Sequence, residues 1–172
     1  ERHETSVQLI DRALVANPND VGLLNNKAFA LSQSGKIDEA RLWLSKAAMH
    51  SSDRENKVVL GATEANILVR SGAVLEGLEA YARSAISAAR SGLFETRDRM
   101  IAHWLREMYL NGYHLEEDVL NRFEKHFQST KISAEARRLF SHIASPLIRA
   151  SGRLDHGVPI GMAETDVLLT AD

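Results

Sequence analysis

The feature that most constrains this chain is an internal period. Ile10, Ala13 and Pro18 are answered 34 positions later by Leu44, Ala47 and Ser52. The first two keep their apolar or small character, and the third changes from a helix breaker to a helix starter. A period of this length holds two helices and two turns, and such a unit cannot bury its apolar face alone. It must stack on a neighbour, so the expectation is an all-α chain of antiparallel helix hairpins.

The residues between these anchors fill one whole unit. A first helix is predicted over about 20–34 and a second over 37–50, with Gly35 between them in the left-handed conformation that ends helices. Leu24, Ala28 and Leu31 share one face of the first helix, and Ala40, Leu44 and Ala47 share one face of the second. Ala28 and Ala40 are small where the two helices must cross closely. Asn17-Pro18-Asn19-Asp20 breaks the preceding helix and caps the next. A second unit follows at a spacing of 37, in which Gly72 answers Gly35, Ala65 answers Ala28, Gly77 answers Ala40, Tyr81 answers Leu44 and Ser84 answers Ala47. Ser52-Asp53-Arg54-Glu55 reads as a capping box with Ser52 as the N-cap.

Leu24, Ala28, Leu31, Gly35, Ala40, Leu44, Ala47 and Ser52, with Ile10, Ala13 and Pro18 before them, resemble the tetratricopeptide repeat pattern over about residues 5–90. Leu24 stands where that pattern usually has Trp, and Lys27 where it usually has Leu. The resemblance implies a right-handed superhelical stack of hairpins, an α-solenoid of about 7–8 helices closed by a C-terminal capping helix and tail. It also implies a protein-interaction scaffold rather than an enzyme, holding a peptide or partner protein in the concave groove lined by the first helix of each pair. The groove positions are Asn25, Asn26, Phe29 and Gln33 in the first unit, and Ala62, Thr63, Asn66 and Arg70 in the second. Side-chain amides suit an extended peptide because they donate and accept along its backbone. Phe29 offers an apolar contact, and Arg70 can pair a carboxylate. Family members that grip C-terminal carboxylates use a clamp of lysine, asparagine and arginine. Only Asn26 matches it, with Val59 and Thr63 at basic positions of that clamp, so this use is not expected.

The second unit, through Arg70-Ser71-Gly72 to Gly77-Leu78-Glu79-Ala80-Tyr81, is also similar to bacterial repeat modules found downstream of an effector domain, sometimes a PIN-type nuclease. This supports an alternative reading, a regulatory or assembly arm of a larger bacterial enzyme whose catalytic domain lies outside the chain. The start, Glu1-Arg2-His3-Glu4, has neither a methionine nor a signal-peptide pattern, and it suggests a piece of a longer protein.

Beyond the two best repeats (5–52 and 53–91), residues 94–128 read as a degenerate hairpin. Met100, Ile101, Trp104, Leu105 and Met108 form one stripe, Asn111-Gly112 a turn, and Leu115, Val119, Leu120, Phe123 and Phe127 a second stripe. A capping helix is expected over 132–150, started by Ser133 and kinked or interrupted at Pro146. These elements make one domain over 1–150. An irregular tail over 151–172 carries Val158, Ile160, Met162, Val167, Leu168 and Leu169, enough apolar surface to dock on the repeats or on a neighbouring molecule.

The chemistry-bearing patterns are nearly absent. There is no phosphate loop, HExxH, GxSxG or calcium loop, and no cysteine for a disulfide or thiolate. The seven histidines are scattered, so the metal reading, a folded cluster of His103, His114 and His126, is not favoured over surface histidines. Neither a catalytic residue nor a cofactor is assigned. A net charge of −2 and a groove with one arginine argue against nucleic acid. No apolar run is long enough to span a membrane. A cytoplasmic protein is expected, and the exposed ends of a stack allow a homodimer.

Overall fold

A computed structural model describes residues 2–129, 131–150, 156–157 and 168–169. They form two compact units, residues 1–81 and 82–172. Helices dominate both, and no helix among the described residues is long and apolar enough to cross a membrane.

In the first unit, α1 (Arg2–Ala16), α2 (Val21–Gln33), α3 (Ile37–His50) and α4 (Arg54–Arg70) follow one another, and α5 (Val74–Arg90) begins. Asp20 caps α2 through its carboxylate, which accepts the Leu23 amide at 2.8 Å. The α2–α3 turn is a left-handed cap on Gly35: the Lys36 amide donates back to the Leu31 carbonyl and the Gly35 amide to Ser32, both at 3.0 Å. Turns this short reverse the chain, so α2 and α3 lie side by side. Ala28 and Ala40 are both fully buried, as the close crossing requires. Leu14, Leu24, Ala47 and Leu60 form one apolar cluster, and Leu31, Ala40 and Ile67 another, drawing on successive helices. α4 packs against both α2 and α3, so the first helix of the next hairpin lies on both helices of the preceding one. Ala73 and Gly72 repeat the cap of Gly35, with the Ala73 amide on the Leu68 carbonyl at 3.0 Å. The cap of α4 differs from the expectation. Asp53 rather than Ser52 is the N-cap, because its carboxylate takes both the backbone amide of Asn56 at 2.7 Å and the side-chain amide of Asn56 at 2.5 Å.

Lys27, the departure from the repeat pattern, is accommodated by side chains of the two adjacent helices. Its ammonium pairs with Asp11 on α1 and lies 3.6 Å from the ring centroid of Trp43 on α3, with Lys46 on that ring at 4.1 Å. The aliphatic stem does the apolar packing that a leucine would do, while the charge finds a carboxylate and an aromatic face.

The second unit takes the rest of α5, then α6 (Phe94–Leu110), α7 (Glu117–Gln128), α8 (Ala134–Ile143) and α9 (Ser145–Ala150). Its centre is α6, which packs on α8 and α9 and buries residues around most of its circumference. Trp104 meets Phe123 with ring centroids 5.8 Å apart, and Phe127 stacks on Phe140 at 4.3 Å. Ser133 caps α8 as expected, accepting the Ala136 amide at 3.1 Å. The expected capping helix is two helices, α8 and α9, broken at Ala144 just ahead of Pro146. That follows from the proline, which cannot donate to an earlier turn. Between α6 and α7, β1 (Tyr113–His114) pairs in parallel with β2 (His156–Gly157), a two-residue ladder among described residues that are otherwise mainly helical. From the tail, Leu168 is fully buried; most of 151–172 lies outside the described residues.

A turn that the stretched period conceals divides α5 from α6. Gly92 has φ +71, its amide donates to Ala89, and the Leu93 amide donates to the Ala88 carbonyl at 3.0 Å. A Cβ added there would meet nothing within 4 Å, so only the backbone conformation demands glycine. Gly92→Ala is expected to lower stability by about 1 kcal/mol, read as a fall in the urea midpoint at unchanged slope. A variant as stable as the parent would show that the turn adopts another conformation.

Candidate partner-binding face

Two helices of the first unit, α2 and α4, carry the candidate positions, and their local sequence decides which side chains reach the surface. On α2, Leu24, Ala28 and Leu31 point into the apolar clusters, and Asn25, Phe29, Ser32 and Gln33 follow on the adjacent strip. On α4, Thr63, Asn66 and Arg70 succeed one another at helical spacing. Asn26 is exposed, whereas Phe29, Gln33, Ala62 and Arg70 are half-buried. Asn25, Thr63 and Asn66 are buried, Asn66 to 1% exposure.

The two helices are joined on this strip by hydrogen bonds. The Ser32 hydroxyl donates to Asn66 Oδ1 at 2.7 Å, and Gln33 Nε2 donates to the same oxygen at 2.9 Å. Asn66 therefore ties α4 to α2 along this strip. Its Nδ2 is buried and makes no hydrogen bond, and neither does the buried Asn25 Oδ1. Buried amide atoms of this kind are costly unless something supplies their partner. The structure thus brings Gln33 and Asn66 together directly. Ser32 was not among the sequence candidates, although it is a polar residue within the Leu24, Ala28, Leu31 region of α2 and sits one 34-residue period before Asn66.

Among the described residues no group of three His, Cys, Asp or Glu side chains is placed to hold a metal ion. His103 is half-buried, and desolvation first, then Arg106 and Arg99, lower its pKa to about 4, so its ring is neutral near pH 7. His126 turns instead to Asp98, with Nε2 2.9 Å from Oδ1.

Residues 9–42 match the family model described as tetratricopeptide repeat. No curated protein and no solved structure matches the chain. The matched segment covers the second half of α1, all of α2 and the opening of α3, the stretch where the left-handed cap, the small crossing residues and the shared apolar clusters occur together. Residues 9–42 are thus similar to a tetratricopeptide repeat, and the antiparallel helices around them agree with an all-α stack of that kind.

Proposed function

We propose that this chain is a protein-interaction scaffold that binds an extended peptide segment of a partner protein along α2 and α4. Tetratricopeptide repeats form protein–protein interaction modules, and here the strip over both helices is polar where an isolated stack could have been apolar. The observation that carries the reading is Asn66: its oxygen is held by Ser32 and Gln33, while its Nδ2 donor is left without a partner. A peptide carbonyl, or a water bridging to one, supplies the missing acceptor. Asn26, Phe29, Gln33 and Arg70 are the accessible side chains beside it, and together they offer amide, apolar and guanidinium contacts. Asn25 and Thr63 lie deeper and shape the floor of the strip.

Selection of binders from a displayed peptide library, followed by calorimetry, tests this. The triple variant Asn26→Ala, Gln33→Ala, Arg70→Ala should weaken the selected peptides at least about tenfold, the loss expected from removing a few surface contacts. Its unfolding midpoint should stay near that of the parent. Asn66→Ala should lower both affinity and stability, because it also unties α2 from α4. Peptides that bind the triple variant as tightly as the parent would place the binding surface elsewhere.

A further inference from the structure

The second unit contains a cavity of about 370 Å³ whose lining includes Arg97, Asp98, His126, Ser129, Lys131 and Ser133, with Phe94, Ile132 and Leu169 as its apolar part. It is far larger than the roughly 10–15 Å³ that houses one water. Arg97 is 3% exposed, and it reaches Asp98 Oδ1 through both Nε and Nη2 at 2.8 Å. The same oxygen faces His126 Nε2. Asp98 is thus committed on one side, while Arg97 Nη1 is buried and makes no hydrogen bond. A buried guanidinium nitrogen left in that state is costly, and Arg97 is one of the residues that line the cavity.

The donors on the cavity wall suit an anion. Arg97 and Lys131 stand against Glu95 and Asp98, and Asp98 is already engaged by Arg97 and His126. Ile132 and Ser133 bring the N-terminus of α8 to the cavity wall, where the first amides have no intrahelical acceptor and the helix dipole is positive. Hydroxyls of Ser129 and Ser133 lie on the same wall. The lining thus offers donors of three kinds, a guanidinium, a helix start and hydroxyls, and such a mixed set suits a multi-oxygen anion such as a phosphate. The volume left over and the apolar side at Phe94, Ile132 and Leu169 suit an organic substituent.

We infer that this cavity is a binding site for a small organic phosphate monoester, its phosphate on Arg97 Nη1 and the start of α8, and its organic part against Phe94, Ile132 and Leu169. The site is independent of the peptide face of the first unit.

Titration of the full chain with phenyl phosphate and with inorganic phosphate, against sodium chloride of matched ionic strength, tests the site by calorimetry and by thermal unfolding. Both phosphates should raise the unfolding temperature, and phenyl phosphate should bind about tenfold more tightly than inorganic phosphate because its ring buries apolar area. Lys131→Glu alters an exposed side chain and should weaken both by about tenfold while the protein stays folded in chloride. Arg97→Lys, checked for helix content by circular dichroism, should abolish the response. No response to either phosphate, equal binding of the two, or a response that Lys131→Glu leaves intact would overturn the proposal. Tighter binding of a phosphoserine peptide than of phenyl phosphate would overturn it too, by assigning the site to a protein ligand.

Discussion

Asp98→Ala is expected to destabilise the second unit by about 3–5 kcal/mol, the usual consequence of leaving one member of a buried ion pair without its partner. Asp98 and Arg97 are both almost fully buried, and one carboxylate oxygen serves Arg97 Nε, Arg97 Nη2 and His126 Nε2. Truncation leaves a guanidinium inside α6 with no counter-charge and frees the imidazole that joined α7 to α6. Urea unfolding followed by tryptophan fluorescence, to which the buried Trp104 of this unit and Trp43 of the first unit both contribute, together with circular dichroism, measures the loss. The double variant Arg97→Met, Asp98→Leu should recover most of it, because well-packed apolar residues often replace a buried pair at little net cost. A single variant that loses less than about 1 kcal/mol would mean that solvent already reaches and screens Arg97.

Gly77→Ala should cost about 2 kcal/mol, although alanine in a helix interior is ordinarily worth about 1 kcal/mol more than glycine. The overlap wins because of what the new methyl would meet. A Cβ on Gly77 would lie 2.6 Å from Val69 Cγ2, 2.8 Å from the Ala65 carbonyl oxygen and 2.8 Å from the Val69 amide nitrogen. A side-chain atom can turn away, but two of these three are backbone atoms of α4, so α4 and α5 must move apart. The double variant Val69→Ala, Gly77→Ala discriminates the causes. It should be no more stable than Gly77→Ala, since the backbone clashes remain. Full recovery would show that only the valine side chain sets the distance between the helices.

That contact was readable in advance as a residue type. Gly77 stands at the position of Ala40, and both mark a crossing where little side-chain volume fits. Similarly, the turns at Gly35, Gly72 and Gly112 and the cap at Ser133 are short-range signals, each set by residues within a few positions of one another. The turn at Gly92 escaped because it lies 20 residues after Gly72, outside the 34–37 residue spacing that exposed the other repeats. The N-cap moved from Ser52 to Asp53 for a similar reason. Two adjacent residues can both cap a helix, and the choice rests on the extra bond that Asn56 makes to the aspartate.

The candidate face was less legible. Asn25, Thr63 and Asn66 look like surface residues in the sequence, since polar side chains on an amphipathic helix are ordinarily solvated. Their burial depends on α2 and α4 lying against each other, and Asn66 satisfies its oxygen through residues 33 and 34 positions earlier. Lys27 likewise reads as a flaw in the repeat until Asp11 and Trp43 are brought to it from α1 and α3.

The amino-acid sequence alone determined the class of fold, the helix period and most turns of this protein, because apolar spacing, glycine turns and caps act over one or two helical turns. Only the tertiary structure decided which polar groups are buried and which of their atoms lack partners, as at Asn66 and Arg97. Burial and hydrogen bonding of that kind depend on helices far apart in the chain, and no local pattern encodes the distance between them.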